Sequence, residues 1–396
     1  MFYHSLLLLL LPALISCRVD PELHMSTPEM VRFWGYTAEE HWVTTSDGYI
    51  LGLHRIPAGK SGKSVQTAGG RPVVFLQHGL TDSSATWVMN MPNNSLGFML
   101  ADAGFDVWMG NVRGNTYSTN HTSLTPKDPK FWEFTFDEFA AIDLPTMVNY
   151  VLDNTGAKTT SYFGHSQGTL IAFIEFSRNK ELSKKINLYG ALAPVARITH
   201  IEGLVKGLNL VEPQIVQLFK ILGVHDFAPS NWFMKELAAL VCPIEKAVIC
   251  RNIIFLLCGY DLSNLDESRV PIYVAHTPAG TSVRNMIHWA QLLRAKQLQR
   301  YDYGTPDENM KHYNSTTPPV YDISGLDVPT ALFSGGNDFL ADPRDVAWLE
   351  GQLRPEIVVK NVFYDNYNHL DFVWGKDAFQ TIYKYLIELA KKYSGV

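Results

Sequence analysis

The sequence predicts an α/β fold with a mostly parallel central sheet and an inserted, mainly helical cap domain. Three observations carry that expectation. Short apolar runs alternate with helix-length stretches between Val73 and Ala193. The alternation stops after Pro194 and resumes at Val328. A G-x-S-x-G pentapeptide, Gly164 to Gly168, sits where a strand-like run meets a helix-like one. Short apolar strands separated by helices are the signature of a parallel sheet covered on both faces. At 396 residues the chain can bury a large core, and length alone allows roughly two to three domains.

The first element is a processing signal. Leu6 to Leu11 is an unbroken leucine run followed by Pro12, Ala13 and Ser16-Cys17. It has the length of a signal-peptide core and is too short to span a bilayer. Cleavage after Ser16 or Cys17 is expected, and residues 1–17 are read as the leader. Leu14-Ile15-Ser16-Cys17 also matches a bacterial lipoprotein box, the alternative reading. No later stretch is apolar for long enough to cross a membrane. Three N-x-S/T sequons, at Asn93, Asn120 and Asn314, agree with a glycosylated protein of the secretory pathway. The net charge of −6 gives no basis for a nucleic-acid partner.

Alternating apolar residues flank Ser46-Asp47-Gly48, so residues 41–56 read as a hairpin. A Gly-, Ser- and Lys-rich segment follows from Ala58 to Gly70. Strands are expected at Val73–Gln77, Phe105–Met109, Ser161–Phe163 and Leu188–Ala193. Helices are expected at Ser95–Ala103, Phe136–Leu152 and Ser166–Phe176. From Arg197 to Leu326 the patterns are helical and interrupted by Pro213, Pro229 and Pro243. There Leu204, Val205, Leu208, Ile215, Leu218, Phe219 and Leu222 face either a core or a lipid surface. Strand and helix patterns return at Val328–Phe333 and Ile357–Tyr364. The expected organisation is therefore a core over 18–196 and 327–396, with a cap and lid over 197–326.

Without Cys17, three of the four cysteines remain: Cys242, Cys250 and Cys258. An odd number implies one bridge and one free thiol. Eight residues of helix rise about 12 Å, while bridged Cα atoms lie less than about 7 Å apart. A bridge between neighbours thus needs a bend, which Pro243 beside Cys242 supplies. Cys258 ends an apolar run, a usual place for a buried thiol. Cys242–Cys250 is the expected pair. The spacing matches no zinc pattern, and no metal or other cofactor is expected.

The pentapeptide carries the chemistry. In a nucleophile elbow a strand turns sharply into a helix and holds a serine hydroxyl above the sheet, with glycines where side chains would block the turn. Ser166 is the candidate nucleophile. A serine needs a base, and an imidazole needs a carboxylate to fix its tautomer. The order on such a fold is serine, acid, histidine. His200, His225, His276, His288, His312 and His369 follow Ser166, and only His369 comes after the last strand pattern. Asp338 follows a strand and two glycines. Asp342, just before Pro343, is the fallback acid and reads better as the start of a helix. Backbone N–H groups of Gln167 and Leu80 are the expected oxyanion donors, with His78 supporting the loop.

Seven ordered stretches resemble the acid lipase family, which includes gastric and lysosomal acid lipases. They are His78-Gly79-Leu80, Asn111 to Asn115 before Tyr117-Ser118, and Phe136-Asp137-Glu138 with Asp143-Leu144-Pro145. The others are Gly164 to Gly168, His276 to Ser282, Gly335 to Asp338 and Asn368 to Phe372. The resemblance covers nearly the whole mature chain. It implies an α/β-hydrolase core, a cap with a lid, and hydrolysis of neutral lipid esters at acidic pH at a lipid–water interface. It carries the triad onto Ser166, Asp338 and His369 and the oxyanion donors onto Leu80 and Gln167. It also implies one bridge and one free thiol in the cap, and a lysosomal or extracellular location. Thr81 departs from the apolar residue that relatives often carry. An imidazolium cannot act as the base, and free histidine titrates near 6.5, so the acidic optimum rests on the resemblance alone. Triglyceride and cholesteryl ester both remain open as substrates. The rivals are an esterase for smaller esters on the same fold and a non-catalytic lipid-binding protein.

Overall fold

The computed structural model describes residues 20–62, 70–203, 206, 224–227, 247–261 and 263–396. The leader, most of the Gly/Ser/Lys-rich segment, Cys242 and the apolar residues 204–222 lie outside them. Eight strands form one sheet: β1 Glu39–Thr44, β2 Tyr49–Ile56, β3 Val73–Gln77, β4 Asp106–Gly110, β5 Thr160–His165, β6 Ile186–Leu192, β7 Thr330–Gly335 and β8 Val358–Tyr364. Their order is β1-β2-β4-β3-β5-β6-β7-β8, and the two-residue strand Asn120–His121 adds to β2. β1 pairs antiparallel with β2, and β2 with β4. From β4 to β8 every pairing is parallel.

Burial follows from position in the sheet. Every residue of β3, β4, β5 and β7 is buried, as strands covered on both faces require. β1, at one edge, alternates half-buried with exposed residues. The hairpin turns at Gly48, whose φ of +100° suits glycine.

The helices include α1 Leu96–Asp102, α2 Leu144–Thr155, α3 Gln167–Arg178, α4 Ala247–Cys258, α5 Val270–His276, α6 Val283–Ala295, α7 Pro343–Gln352 and α8 Lys384–Ser394. The stretch expected as one helix from Phe136 is not uniform. A helical turn at Phe136–Glu138 passes into a π-helical turn, Phe139–Asp143, before α2. Pro145 is the physical reason: its ring clashes with the carbonyl four residues earlier and it donates no hydrogen bond, so the preceding turn widens. In the inserted region α4, α5, α6 and a further helix at Pro306–Tyr313 are described, together with a two-residue ladder of Asp226–Phe227 with Thr281–Ser282.

The parallel strands all point one way. Their carboxyl ends therefore deliver the loops after β3, β5, β7 and β8 to a single edge of the sheet, where ligand sites of open α/β sheets form.

Candidate active site

β5 runs directly into α3 through Ser166, whose φ is +53° and ψ −120°. A non-glycine residue in that region costs about 1–3 kcal/mol and persists only where its surroundings enforce it. They do so here by close approach. A Cβ on Gly164 would lie 2.7 Å from the Gly168 carbonyl carbon, and one on Gly168 would lie 2.5 Å from the Gln77 carbonyl oxygen. The strand, the turn and the helix thus cross at distances only glycine permits.

Ser166 Oγ lies 2.7 Å from His369 Nε2. His369 Nδ1 is 2.9 Å from each oxygen of Asp338. Asp338 Oδ1 also accepts the N–H groups of Leu340 and Ala341, at 2.9 and 2.7 Å. All three side chains are buried. The carboxylate fixes the Nδ1–H tautomer, which leaves Nε2 free to accept the serine proton. Asp342 lies elsewhere: it caps α7, accepting the Arg344 N–H at 2.8 Å. The other downstream histidines whose side-chain partners are known are also held away. His200 bonds Asp345, His276 the Glu22 carbonyl and His288 the Gln299 carbonyl, while His312 stacks on Tyr303.

The loop after β3 lies against the elbow. A Cβ on Gly79 would sit 3.1 Å from Ser166 Cβ, so the chain leading to Leu80 runs alongside the nucleophile. Gln167 is the first residue of α3, so its N–H is among those with no acceptor inside the helix. His78 Nδ1 donates to the Gly79 carbonyl at 2.8 Å, and its Nε2 accepts from Val112 N–H and the Asn115 amide. Burial pulls its pKa down to about 4, so it stays neutral. His78 therefore ties the loop after β3 to the Asn111–Asn115 stretch. Thr81 adopts φ +54°, rare for a β-branched residue. Its hydroxyl donates to the Leu80 carbonyl at 2.7 Å.

Two supports carried no sequence signal. His165, the variable residue before the nucleophile, donates from Nε2 to the His369 carbonyl at 2.8 Å, and burial lowers its pKa to about 3. The His369 N–H donates to the Cys258 carbonyl at 3.1 Å. Both are contacts between residues remote in sequence, which no local pattern announces. Cys250 is disulfide-bonded and Cys258 is a free thiol. The sequon residues Asn93, Asn120 and Asn314 are exposed. Among the described residues no His, Cys, Asp or Glu cluster suits a metal, and no helix is long and apolar enough to cross a membrane.

Known proteins share this arrangement of sequence. A family model described as the partial alpha/beta-hydrolase lipase region matches residues 27–91, and one for the alpha/beta hydrolase fold matches residues 72–203. Gastric triacylglycerol lipase of Rattus norvegicus is 46% identical over 372 residues, 93% of this chain and 92% of the relative. The chain belongs to the acid lipase family. Human lipase member K is 47% identical over 94% of this chain and 92% of its own length. Human lysosomal acid lipase/cholesteryl ester hydrolase is 44% identical over 95% and 93%. Among solved structures, a soluble variant of monoglyceride lipase from Saccharomyces cerevisiae has the same fold, with a TM-score of 0.53 at 14% identity, covering 94% of this chain and 97% of that one.

Within this acid lipase the loop after β3 carries a pH-sensitive group. Burial pushes the Asp82 carboxyl up to about 7, against hydrogen bonds from Ser83, Thr86 and Thr277 that pull it down. An unfolded aspartate titrates near 3.9. Between about pH 4 and 7 the folded chain therefore holds a proton that the unfolded chain lacks. The stability this gives is present at low pH and is lost as pH rises through about 7. Asp82→Asn is expected to remove that slope. From pH 7 to pH 5, wild type should gain about 2 kcal/mol relative to the variant in urea unfolding. A pH-independent difference would contradict the assignment.

Proposed function

We propose that this protein hydrolyses carboxylic esters of neutral lipids, triglyceride or cholesteryl ester, through an acyl-enzyme on Ser166. The observation that carries the reading is the continuous relay from Asp338 through His369 to Ser166, with 2.9 and 2.7 Å separations at a strained elbow. Ser166 Oγ attacks the ester carbonyl while His369 Nε2 takes its proton. The N–H groups of Leu80 and Gln167 stabilise the tetrahedral oxyanion, each donor being worth about 3 kcal/mol of barrier. His369 returns the proton to the leaving alcohol. Water, activated by the same imidazole, then releases the fatty acid and regenerates Ser166.

The relatives named for triacylglycerol and for cholesteryl esters support the substrate class, and the lysosomal and gastric names among them support work at acidic pH in a lysosome or outside the cell. In this reading residues 197–326 form a cap and lid that shape the entrance at a lipid–water interface. Cys242 pairs with Cys250, and the exposed sequons carry glycans.

Purified protein offered emulsified long-chain triglyceride, cholesteryl ester and a short soluble ester across pH 4 to 8 tests the proposal. Turnover of a long-chain substrate, highest below neutrality and absent in Ser166→Ala, is expected. Turnover of the short ester alone would replace the lipase reading with that of a small-ester esterase.

A further inference from the structure

One stretch of the inserted region grips Gln167 and the residue that follows Leu80. Gln167 Oε1 accepts the Asn285 amide at 3.0 Å and the Trp289 indole N–H at 2.9 Å. Both donors stand on α6, four residues apart and so on the same face of the helix. Gln167 and Asn285 are buried. On the other side, the Ala279 N–H donates to the Thr81 carbonyl at 2.6 Å, directly after Leu80. The two grips are joined. Asn285 Nδ2 also lies 3.2 Å from Thr281 Oγ1, and its N–H donates to Ser282 Oγ at 2.9 Å. Asn285 Oδ1 accepts the Phe136 N–H, and Ser282 Oγ donates to the Phe134 carbonyl, which anchors the stretch to the core.

We infer that residues 279–289 form a clamp that sets the distance between the Leu80 and Gln167 N–H groups, with Asn285 and Trp289 as positioning residues acting through the Gln167 side chain. This rests on the acyl-enzyme reading and extends it. An oxyanion hole works only if its donors stand at hydrogen-bond distance from the place where charge develops. The Gln167 backbone at the first position of α3 has its N–H aimed outward, and nothing inside the helix fixes its side chain. Two donors on a single side-chain oxygen, both from one rigid helix, remove that freedom. On the opposite wall, Thr81 is held in the left-handed region by its own hydroxyl and by Ala279. A small displacement of either wall costs transition-state stabilisation without changing ground-state binding, so the loss falls on kcat.

The test is a double-variant cycle on the full chain with the short soluble ester. Trp289→Phe removes only the indole N–H, and Gln167→Met removes the acceptor while keeping length and backbone N–H. Each is expected to lower kcat about 10-fold with KM within about twofold, as misplacement near the chemistry does. Because Gln167→Met already removes the one bond that Trp289→Phe deletes, the pair together should lose no more than the worse single variant. The Trp289 indole proton, assigned by its absence in Trp289→Phe, should shift upfield in Gln167→Met. That readout does not depend on turnover. Losses that multiply, an unmoved indole proton, or a lowered Tm with unchanged kcat per titratable Ser166 would each overturn the clamp. Absence of Ser166-dependent ester turnover in wild type would instead overturn the functional reading, and the clamp with it.

Discussion

Ser166→Ala is expected to lower kcat for ester hydrolysis by about 10⁶-fold, and His369→Ala by a similar factor, because nucleophile and base act as one unit. The double variant should be no worse than either single one, since the second residue has nothing left to act on. Asp338→Asn is expected to cost about 10⁴-fold. Its two oxygens now face His369 Nδ1 at 2.9 Å and hold the proton there. An amide would present an NH₂ group to the same nitrogen. The ring would then carry its proton on Nε2 and could no longer accept from Ser166. Steady-state rates on the short ester, with Tm measured alongside, check all of this. Full activity in Ser166→Ala would remove the mechanism, and a tenfold loss in Asp338→Asn would show that the carboxylate only orients the ring.

The largest stability effect is expected at Arg113, which is 1% exposed between Asp143 and Asp47. Its Nε donates to Asp143 at 2.8 Å and its Nη2 at 2.6 Å, while its backbone N–H reaches the second Asp143 oxygen at 3.0 Å. Its Nη1 reaches Asp47 at 2.6 Å, and the guanidinium lies 4.0 Å over the Tyr49 ring. Burial opposes the charge, but the two carboxylates outweigh it and raise the Arg113 pKa. Arg113→Met would strand Asp143 without a counter-charge, and breaking such a pair costs about 3–5 kcal/mol. Paired with Asp143→Leu, the same change should recover much of that loss, because the desolvated charge disappears as well. Urea unfolding at neutral pH measures both. A loss under about 1 kcal/mol in Arg113→Met would mean that water reaches the pair.

Much of this architecture was legible in sequence because its signals are local. The buried strands announce themselves as short apolar runs, and β3, at Val73–Gln77, has the expected bounds. Ser166, Asp338 and His369 each follow a strand pattern, so their order along the chain already implied one edge of a sheet. What was not legible depends on contact between distant residues. Nothing about Asn285 or Trp289 in an ordinary amphipathic helix points to Gln167, more than a hundred positions earlier. His165 is simply the variable letter of a motif until the loop after β8 arrives beside it. The expected helix does run on through Pro145, but the π-turn before α2 was not legible because the pattern of apolar residues does not show how the backbone widens to admit a proline.

The hydrogen bond from His165 to the His369 carbonyl has a consequence in time. In the proposed cycle, acylation of Ser166 removes its hydroxyl proton, and the bond from Ser166 to His369 goes with it. The His165 bond involves neither reacting atom, so it outlasts acylation. The neighbour of the esterified serine still holds the histidine backbone, and the Cys258 carbonyl holds it from the other side. The imidazole thus keeps its station for the water that must follow. Deacylation inherits its geometry from the fold instead of having to find it again.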